Sequence, residues 1–230
     1  MRRIIGLALT LVATTSTLFG QRSAGGHPSG LREVRDEGSL GFTLVVAQPL
    51  GEFRRHGDYA AGLTGFAVVP VGRSSGVGLR IDGGYMVYDA DYRGYGISTT
   101  SSIGSLALGP QVTLGQGPIR PYGFATVGGS MFWSSVSDAN YCGCYDSDVF
   151  VLNGRFTTVT QVGAGLLINV SRRRTAVALD LGVRDVRHDR VRYVPAGGIT
   201  ENSDGSFSVQ RVETPVQMRV FQIGVSVGIR

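Results

Sequence analysis

The sequence predicts an all-β fold, an eight-stranded antiparallel transmembrane up-and-down β-barrel, and three observations predict it. Apolar residues recur at every second position in most of the eight strand-like stretches between Leu40 and Arg230. The connections between those stretches alternate long and short along the chain. The first residues have the layout of an export signal, and no later stretch approaches the roughly 20 apolar residues that a spanning helix needs.

The opening segment MRRIIGLALTLVATTSTLFG places Arg2 and Arg3 before an apolar run from Ile4 to Ala13, followed by small and hydroxylated residues. Residues 1–20 are therefore expected to be a signal peptide, cleaved near Gly20 and Gln21. Residues 21–39 are polar, glycine-containing and aperiodic, which predicts a flexible periplasmic N-terminal tail. The barrel is expected over residues 40–230.

Its first strand sets Leu40, Phe42, Leu44 and Val46 against Gly41, Thr43, Val45 and Ala47. A second, from Tyr59 to Val69, alternates too poorly for its faces to be assigned. In the third, GVGLRIDGGYMVYD, one face carries Val77, Leu79, Ile81, Tyr85 and Val87, and the other carries Arg80 and Asp82 among glycines. The fourth opposes Leu106, Leu108, Pro110, Val112 and Leu114 to small and polar residues. The fifth, IRPYGFATVGGSMFW, has aromatics and glycines on both faces and is ambiguous. The sixth alternates from Phe156 to Ile168, and the seventh sets Val177, Leu179, Leu181 and Val183 against Ala178, Asp180, Gly182 and Arg184. The eighth opposes Phe221, Ile223, Val225, Val227 and Ile229 to Gln222, Gly224, Ser226 and Gly228.

Two barrels fit alternation alone. A soluble one is apolar inside, with an outer face crowded by charge. A membrane one is inverted, and here the polar face is mostly Gly, Ala, Ser and Thr with isolated Arg, Asp and Gln, which suits a narrow lumen. An arginine facing lipid near the midplane would cost roughly 2–4 kcal/mol, so Arg80 and Arg184 belong inside. Arg80, Asp82, Asp180 and Arg184 are expected to form a polar network in the lumen, and the alternative is a polar path for small solutes.

The connections LGEFRRHG, DADYRGYG, SSVSDANYCGCYDSDVFVLNG and RHDRVRYVPAGGITENSDGSFSVQRVET are long, whereas PVGRSS, GQGP and SRRR are short. Long and short connections thus fall at opposite ends, the arrangement of short periplasmic turns and longer outer loops, with both termini periplasmic. Asp204-Gly205 in the last long connection predicts a projecting hairpin.

Composition excludes some classes. Thirty-five of 230 residues are glycine, only 17% are charged, and all 22 basic residues are arginine. The net charge of +5 falls to +3 without Arg2 and Arg3, and the one basic run, Arg172 to Arg174, has no interleaved aromatics, so no nucleic-acid partner is expected.

The strand grammar of GLRIDGGYMVYD, IRPYGFATVGG and the terminal FQIGVSVGIR resembles that of the small eight-stranded outer-membrane β-barrel proteins of Gram-negative bacteria, over about Leu40 to Arg230. That resemblance implies insertion into outer-membrane lipid as a monomer, through the outer-membrane assembly machinery. Such chains commonly end in an aromatic residue that the machinery reads, and this chain departs from them in ending at Arg230.

Some proteins of this group act on lipid A, so catalysis needs a test. His27 falls in the N-terminal tail, while His56 and His188 fall in or near the outer connections. Asp58 and Asp189 stand nearby, but neither local sequence supplies a serine, and the His-X-Ser arrangement of lipid A deacylases is missing; all three are read as solvated histidines. Cys142 and Cys144 flank one glycine in a long acidic, tyrosine-containing loop and are read as a strained disulfide or an exposed thiol pair, without enough soft ligands nearby for a metal. The glycines at 163 and 165 lack the spacing and the following helix of a nucleotide-binding turn, and no cofactor is expected.

The expected function is therefore non-enzymatic: a structural or surface-interaction role carried by the outer loops toward an extracellular ligand. A narrow solute channel is the first alternative and a lipid A-modifying enzyme the second. Tyr141 and Tyr145, beside the cysteine pair, are the expected partner-binding residues, because tyrosine joins a large contact area to a hydrogen-bonding tip. Tyr92, Tyr95 and Tyr193 also fall in or beside outward segments, with a membrane-surface aromatic belt as the rival reading for Tyr92 and Tyr95.

Overall fold

The computed structural model describes residues 38–55, 59–72, 76–93, 97–115, 117–138, 149–171, 176–195, 198–202 and 207–229. The expected signal peptide and almost all of the tail, His27, His56, Asp58, Tyr95, Tyr141, Cys142, Cys144 and Tyr145 lie outside them.

Eight long strands close into one antiparallel barrel: β1 (Gly38–Leu50), β2 (Ala60–Pro70), β3 (Val77–Arg93), β4 (Ile97–Thr113), β5 (Ile119–Asp138), β6 (Val149–Ser171), β7 (Val177–Tyr193) and β10 (Val212–Ile229). Each pairs with its neighbour in the chain, and β10 closes the wall against β1 from Gly38↔Ile229 to Leu50↔Gln217. Closure leaves no wall strand with an unpaired edge, the condition for placing a sheet in lipid. A separate hairpin of β8 (Ile199–Glu201) and β9 (Phe207–Val209) stands in the last connection, across the expected Asp204-Gly205 turn, which itself lies outside the described residues.

The wall is inside out relative to a water-soluble barrel. Leu40, Phe42, Leu44, Leu106, Leu108, Val162, Ile223 and Val225 are all exposed, while Arg80, Asp82, Asp180 and Arg184 are at most 3% exposed. Strand alternation produces this sorting, since successive side chains point to opposite faces. It also resolves the two strands the sequence left open. In β2, Ala60, Thr64 and Phe66 turn inward and Leu63 and Val69 outward; in β5, Tyr122, Phe124, Thr126, Ser130 and Phe132 turn inward and Val127 and Met131 outward.

Three of the expected connection lengths need correction, and in SSVSDANYCGCYDSDVFVLNG residues 134–138 belong to β5 and 149–154 to β6. Residues 89–93 of DADYRGYG continue β3 and leave only 94–96 between β3 and β4. Likewise the start of the last connection continues β7 as far as Tyr193. A strand crosses the hydrocarbon in roughly 9–11 residues, yet β5 has 20 and β6 has 23. The excess lies toward the long-connection end, where the backbone ladder continues without lipid to enforce alternation. Bulges at Val87/Asp89, Ser134/Ser135 and Pro215/Val216 interrupt the register in that region.

Candidate functional site

A narrow wall leaves the lumen to side chains, and β3 contributes the first of them. Arg80 and Asp82 are two residues apart, hence on one face, and both point inward. Arg80 holds Asp82 in a fork, Nε to Oδ2 at 2.7 Å and Nη2 to Oδ1 at 2.9 Å, and donates from Nη1 to Gln111 Oε1 of β4 at 2.8 Å. Its guanidinium also lies over the rings of Phe66 and Phe124, 4.1 and 4.2 Å from the centroids. Arginine suits this place because its planar, weakly hydrated head can stack on aromatic faces while its edge donates.

Across the lumen, Arg184 of β7 donates to Gln161 Oε1 at 3.1 Å, to Thr64 Oγ1 at 3.1 Å and to Asp82 Oδ1 at 3.5 Å. Asp82 thus serves both arginines. Asp180 is held otherwise: it accepts from the Tyr122 hydroxyl at 2.6 Å and from the amide of Gln222 at 3.4 Å. The four charges come from two strands on different sides of the barrel, and five uncharged partners, Thr64, Gln111, Tyr122, Gln161 and Gln222, link them to the wall. Burying ions is costly unless their donors and acceptors are met, and here neutral side chains supply most of what the ions do not, with Arg184 Nε and Gln222 Oε1 left without a hydrogen-bond partner among the described residues.

The network also explains one glycine. The ring of Phe66 lies across Gly41, so that a Cβ there would collide with Phe66 Cζ and Cε1. Gly41→Ala is expected to push Phe66 off the Arg80 guanidinium and to destabilise the barrel by about 1–3 kcal/mol in urea unfolding, the usual cost of overpacking.

Toward the long-connection end the lumen becomes apolar. The 3-10 turn Gly51–Arg55 inserts Phe53 into the mouth, edge-on to Tyr88 at 5.7 Å and to Tyr193 at 5.4 Å. Phe132 adjoins both tyrosines, and Ile103, Met218 and Val216 complete a fully buried cluster. The phenols keep hydrogen bonds, Tyr88 to the Val194 carbonyl at 3.2 Å and Tyr193 with Thr214 at 3.2 Å. Tyr193 therefore closes the lumen, and the expectation that it projects outward is corrected.

His188 is a second correction. It is not a solvated loop histidine but a buried residue of β7, 4% exposed, with its ring edge-on to Phe132 at 5.1 Å. The length of β7 explains the misplacement: the strand runs on to Tyr193, and His188 keeps the inward phase of Asp180, Arg184 and Val186, while beyond it the extra residue Asp189, between the pairs His188↔Val216 and Arg190↔Pro215, resets the phase and turns Val191 and Tyr193 inward. The serine that the local sequence lacks comes from β5, with Ser130 Oγ 3.1 Å from His188 Nε2. Nδ1 faces the Val216 carbonyl at 3.4 Å, so no carboxylate orients the ring, and Ser130 is 1% exposed. A hydrolytic site needs an oriented base and a nucleophile that substrate can reach, and this pair offers neither.

Among the described residues, no group of three or more His, Cys, Asp or Glu is placed to hold a metal ion. Tyr92 lies on β3 at the long-connection end.

No protein-family model matches the chain, and no curated protein matches it in sequence. Solved structures do. Neisserial surface protein A aligns over 84% of this chain and 97% of its own, at 16% identity and a TM-score of 0.50. The fold is that of a small outer-membrane β-barrel. The attachment invasion locus protein of Yersinia pestis is similar over 84% of this chain and 96% of its own, at 13% identity and a TM-score of 0.43. A major outer membrane protein from Thermus thermophilus is similar over 82% and 98%, at 13% identity and a TM-score of 0.46. At such identities the likeness is one of architecture and carries no ligand across.

Proposed function

We propose that the protein is an integral outer-membrane barrel with a closed lumen, whose role is structural or surface-interactive and is exercised by its long outer connections. The observation that carries this reading is the filling of the interior by fully buried large side chains, among them Arg80, Phe53, Tyr88, Phe132 and Tyr193. A wall committed to lipid outside and packed inside has no free surface for recognition, which leaves the connections. The segment holding Tyr141, Cys142, Cys144 and Tyr145 is the longest stretch between described strands and is the proposed contact region for an extracellular ligand. Export by residues 1–20 and insertion by the assembly machinery as a monomer complete the reading.

Two measurements test it together. On cell fractionation the chain is expected in the outer-membrane fraction, released by detergent and migrating differently on a gel before and after heating. In planar bilayers it is expected to give no steady conductance. Recovery as a soluble periplasmic monomer overturns the membrane placement, and a conductance abolished by Arg80→Ala or Asp180→Ala overturns the closed lumen in favour of a channel.

A further inference from the structure

A closed wall has no edge on which the missing N–H of a proline can face water. Pro110 nevertheless stands in β4 within the outward apolar run of Leu106, Leu108, Val112 and Leu114, all of them exposed. By contrast, Pro49 and Pro70 fall at strand ends and Pro215 at a bulge. Leu114 of β4 donates to the Pro121 carbonyl of β5 at 2.8 Å, and residues two apart on a strand face the same neighbour, so Pro110 and Ala125 face each other across the β4–β5 seam. Pairing runs from Ile97↔Asp138 to Leu108↔Val127 and resumes at Gln111↔Phe124 without a shift of register. It omits the two pairs, Gly109 with Thr126 and Pro110 with Ala125, that an N–H on Pro110 would close.

The Ala125 carbonyl therefore has no ladder donor, and Pro121 removes a second donor, opposite Leu114, from the same seam. Among the described residues no other seam of the wall skips a pair in constant register. Side chains do little to close the gap, since small residues dominate its cross-strand pairs: Gly123 faces Val112 and Gly128 faces Ala107 on either side of it. In the closed wall the Ala125 carbonyl oxygen rests against Gly109, where a Cβ would collide with it. On the lumen side the Thr126 hydroxyl is buried and has no hydrogen-bond partner among the described residues. Gln111 and Phe124, the pair at which the ladder resumes, both serve Arg80: Gln111 accepts from it at 2.8 Å, and the Phe124 ring lies under its guanidinium.

We propose that β4 and β5 part locally at this point and admit water, which hydrogen-bonds the Ala125 carbonyl and the Thr126 hydroxyl and reaches the Arg80 guanidinium behind them. The proposal rests on the lipid placement given above. A carbonyl without a donor is costly in hydrocarbon, and water that finds two polar partners relieves that cost. Parting of the strands also moves Gln111 and Phe124 together, so that opening of the wall and loosening of Arg80 are one event. The device is a hinge line and not a pore, because Phe53 and the rings around it still fill the mouth.

Hydrogen exchange of the full, isotope-labelled chain in phosphatidylcholine nanodiscs, read residue by residue by NMR, tests the device. The amides of Ala125 and Val127 are expected to exchange roughly tenfold faster than those of Leu44 and Ile223, which stand in the unbroken β1–β10 ladder. The Arg80 Nε–H is expected to exchange along with them. Pro110→Ala, which supplies the missing donor, is expected to slow all three about tenfold and to leave Leu44 and Ile223 unchanged. Pro70→Ala, at the end of β2, is expected to slow none of them. Equal protection of the two ladders in the unmodified chain overturns the proposal whether or not Pro110→Ala folds, and so does a Pro110→Ala chain whose seam exchanges as before. Fast exchange at Ala125 beside a fully protected Arg80 overturns the entry of water into the lumen. A chain whose gel migration does not change on heating has not inserted, and that result overturns the lipid placement instead.

Discussion

Asp82→Ala is expected to lower the unfolding free energy of the barrel by about 3–5 kcal/mol, the range for removing one partner of a buried ion pair. Asp82 accepts from Arg80 at 2.7 and 2.9 Å and from Arg184 at 3.5 Å, so its loss strands two like charges in one section of the lumen. The rings of Phe66 and Phe124 still face Arg80 and soften the loss without replacing an anion. Asp82→Asn, which keeps an acceptor oxygen, is expected to cost less than Asp82→Ala. Urea titration of the protein refolded in vesicles measures both, with heat-dependent migration as the folded-state signal and Trp133, the single tryptophan, as a fluorescent probe on the wall. An unchanged midpoint for Asp82→Ala would mean that the two arginines do not need this carboxylate.

Val225→Arg is expected to cost about 2–4 kcal/mol when the protein is folded in lipid. Val225 is exposed near the middle of the outward run from Phe221 to Ile229, with Phe42 of β1 and Leu179 of β7 beside it in register. An arginine there has no water to reach except by bending toward a headgroup. On a soluble barrel the same surface substitution would fall within about 0.5 kcal/mol of neutral. The variant therefore decides between the two barrels that alternation alone allows. Thr158→Arg, on the outward face of β6 toward the long-connection end, serves as the internal comparison and is expected to cost about 0–1 kcal/mol, as near an interface. Equal, negligible effects of both variants would remove lipid from the outer face.

Where lipid or lumen imposes one residue type on each face, the sequence is easily read. Val77, Leu79 and Ile81 against Arg80 and Asp82 is such a stretch, and the structure sorts it as the alternation predicts. In β2 and β5 the signal fades because large side chains occupy both faces. Phe66 and Phe124 serve the lumen by stacking on Arg80, while Leu63 and Val127 face outward, so hydrophobicity no longer tells inside from outside. Beyond the lipid the signal stops altogether. Residues 89–93 read as a loop although they continue β3, since hydrogen bonding between strands requires no apolar period.

By itself the sequence determined the class of fold, the number of wall strands, the end to which long connections go and the inward placement of Arg80, Asp82, Asp180 and Arg184. All of these follow from period two, which is a local property of the backbone. Only the tertiary structure decided which inward residues meet. Arg80 finds Gln111 and Arg184 finds Thr64 because the register between neighbouring strands and the closure of β1 on β10 bring them level. One bulge, with Asp189 inserted opposite Pro215/Val216, was enough to turn Val191 and Tyr193 into the packed interior, whereas His188 meets Ser130 because β7 continues in the phase of Arg184 beyond the expected strand end. Register is a relation between strands far apart in the chain, and a single inserted residue exchanges inside for outside along everything that follows it.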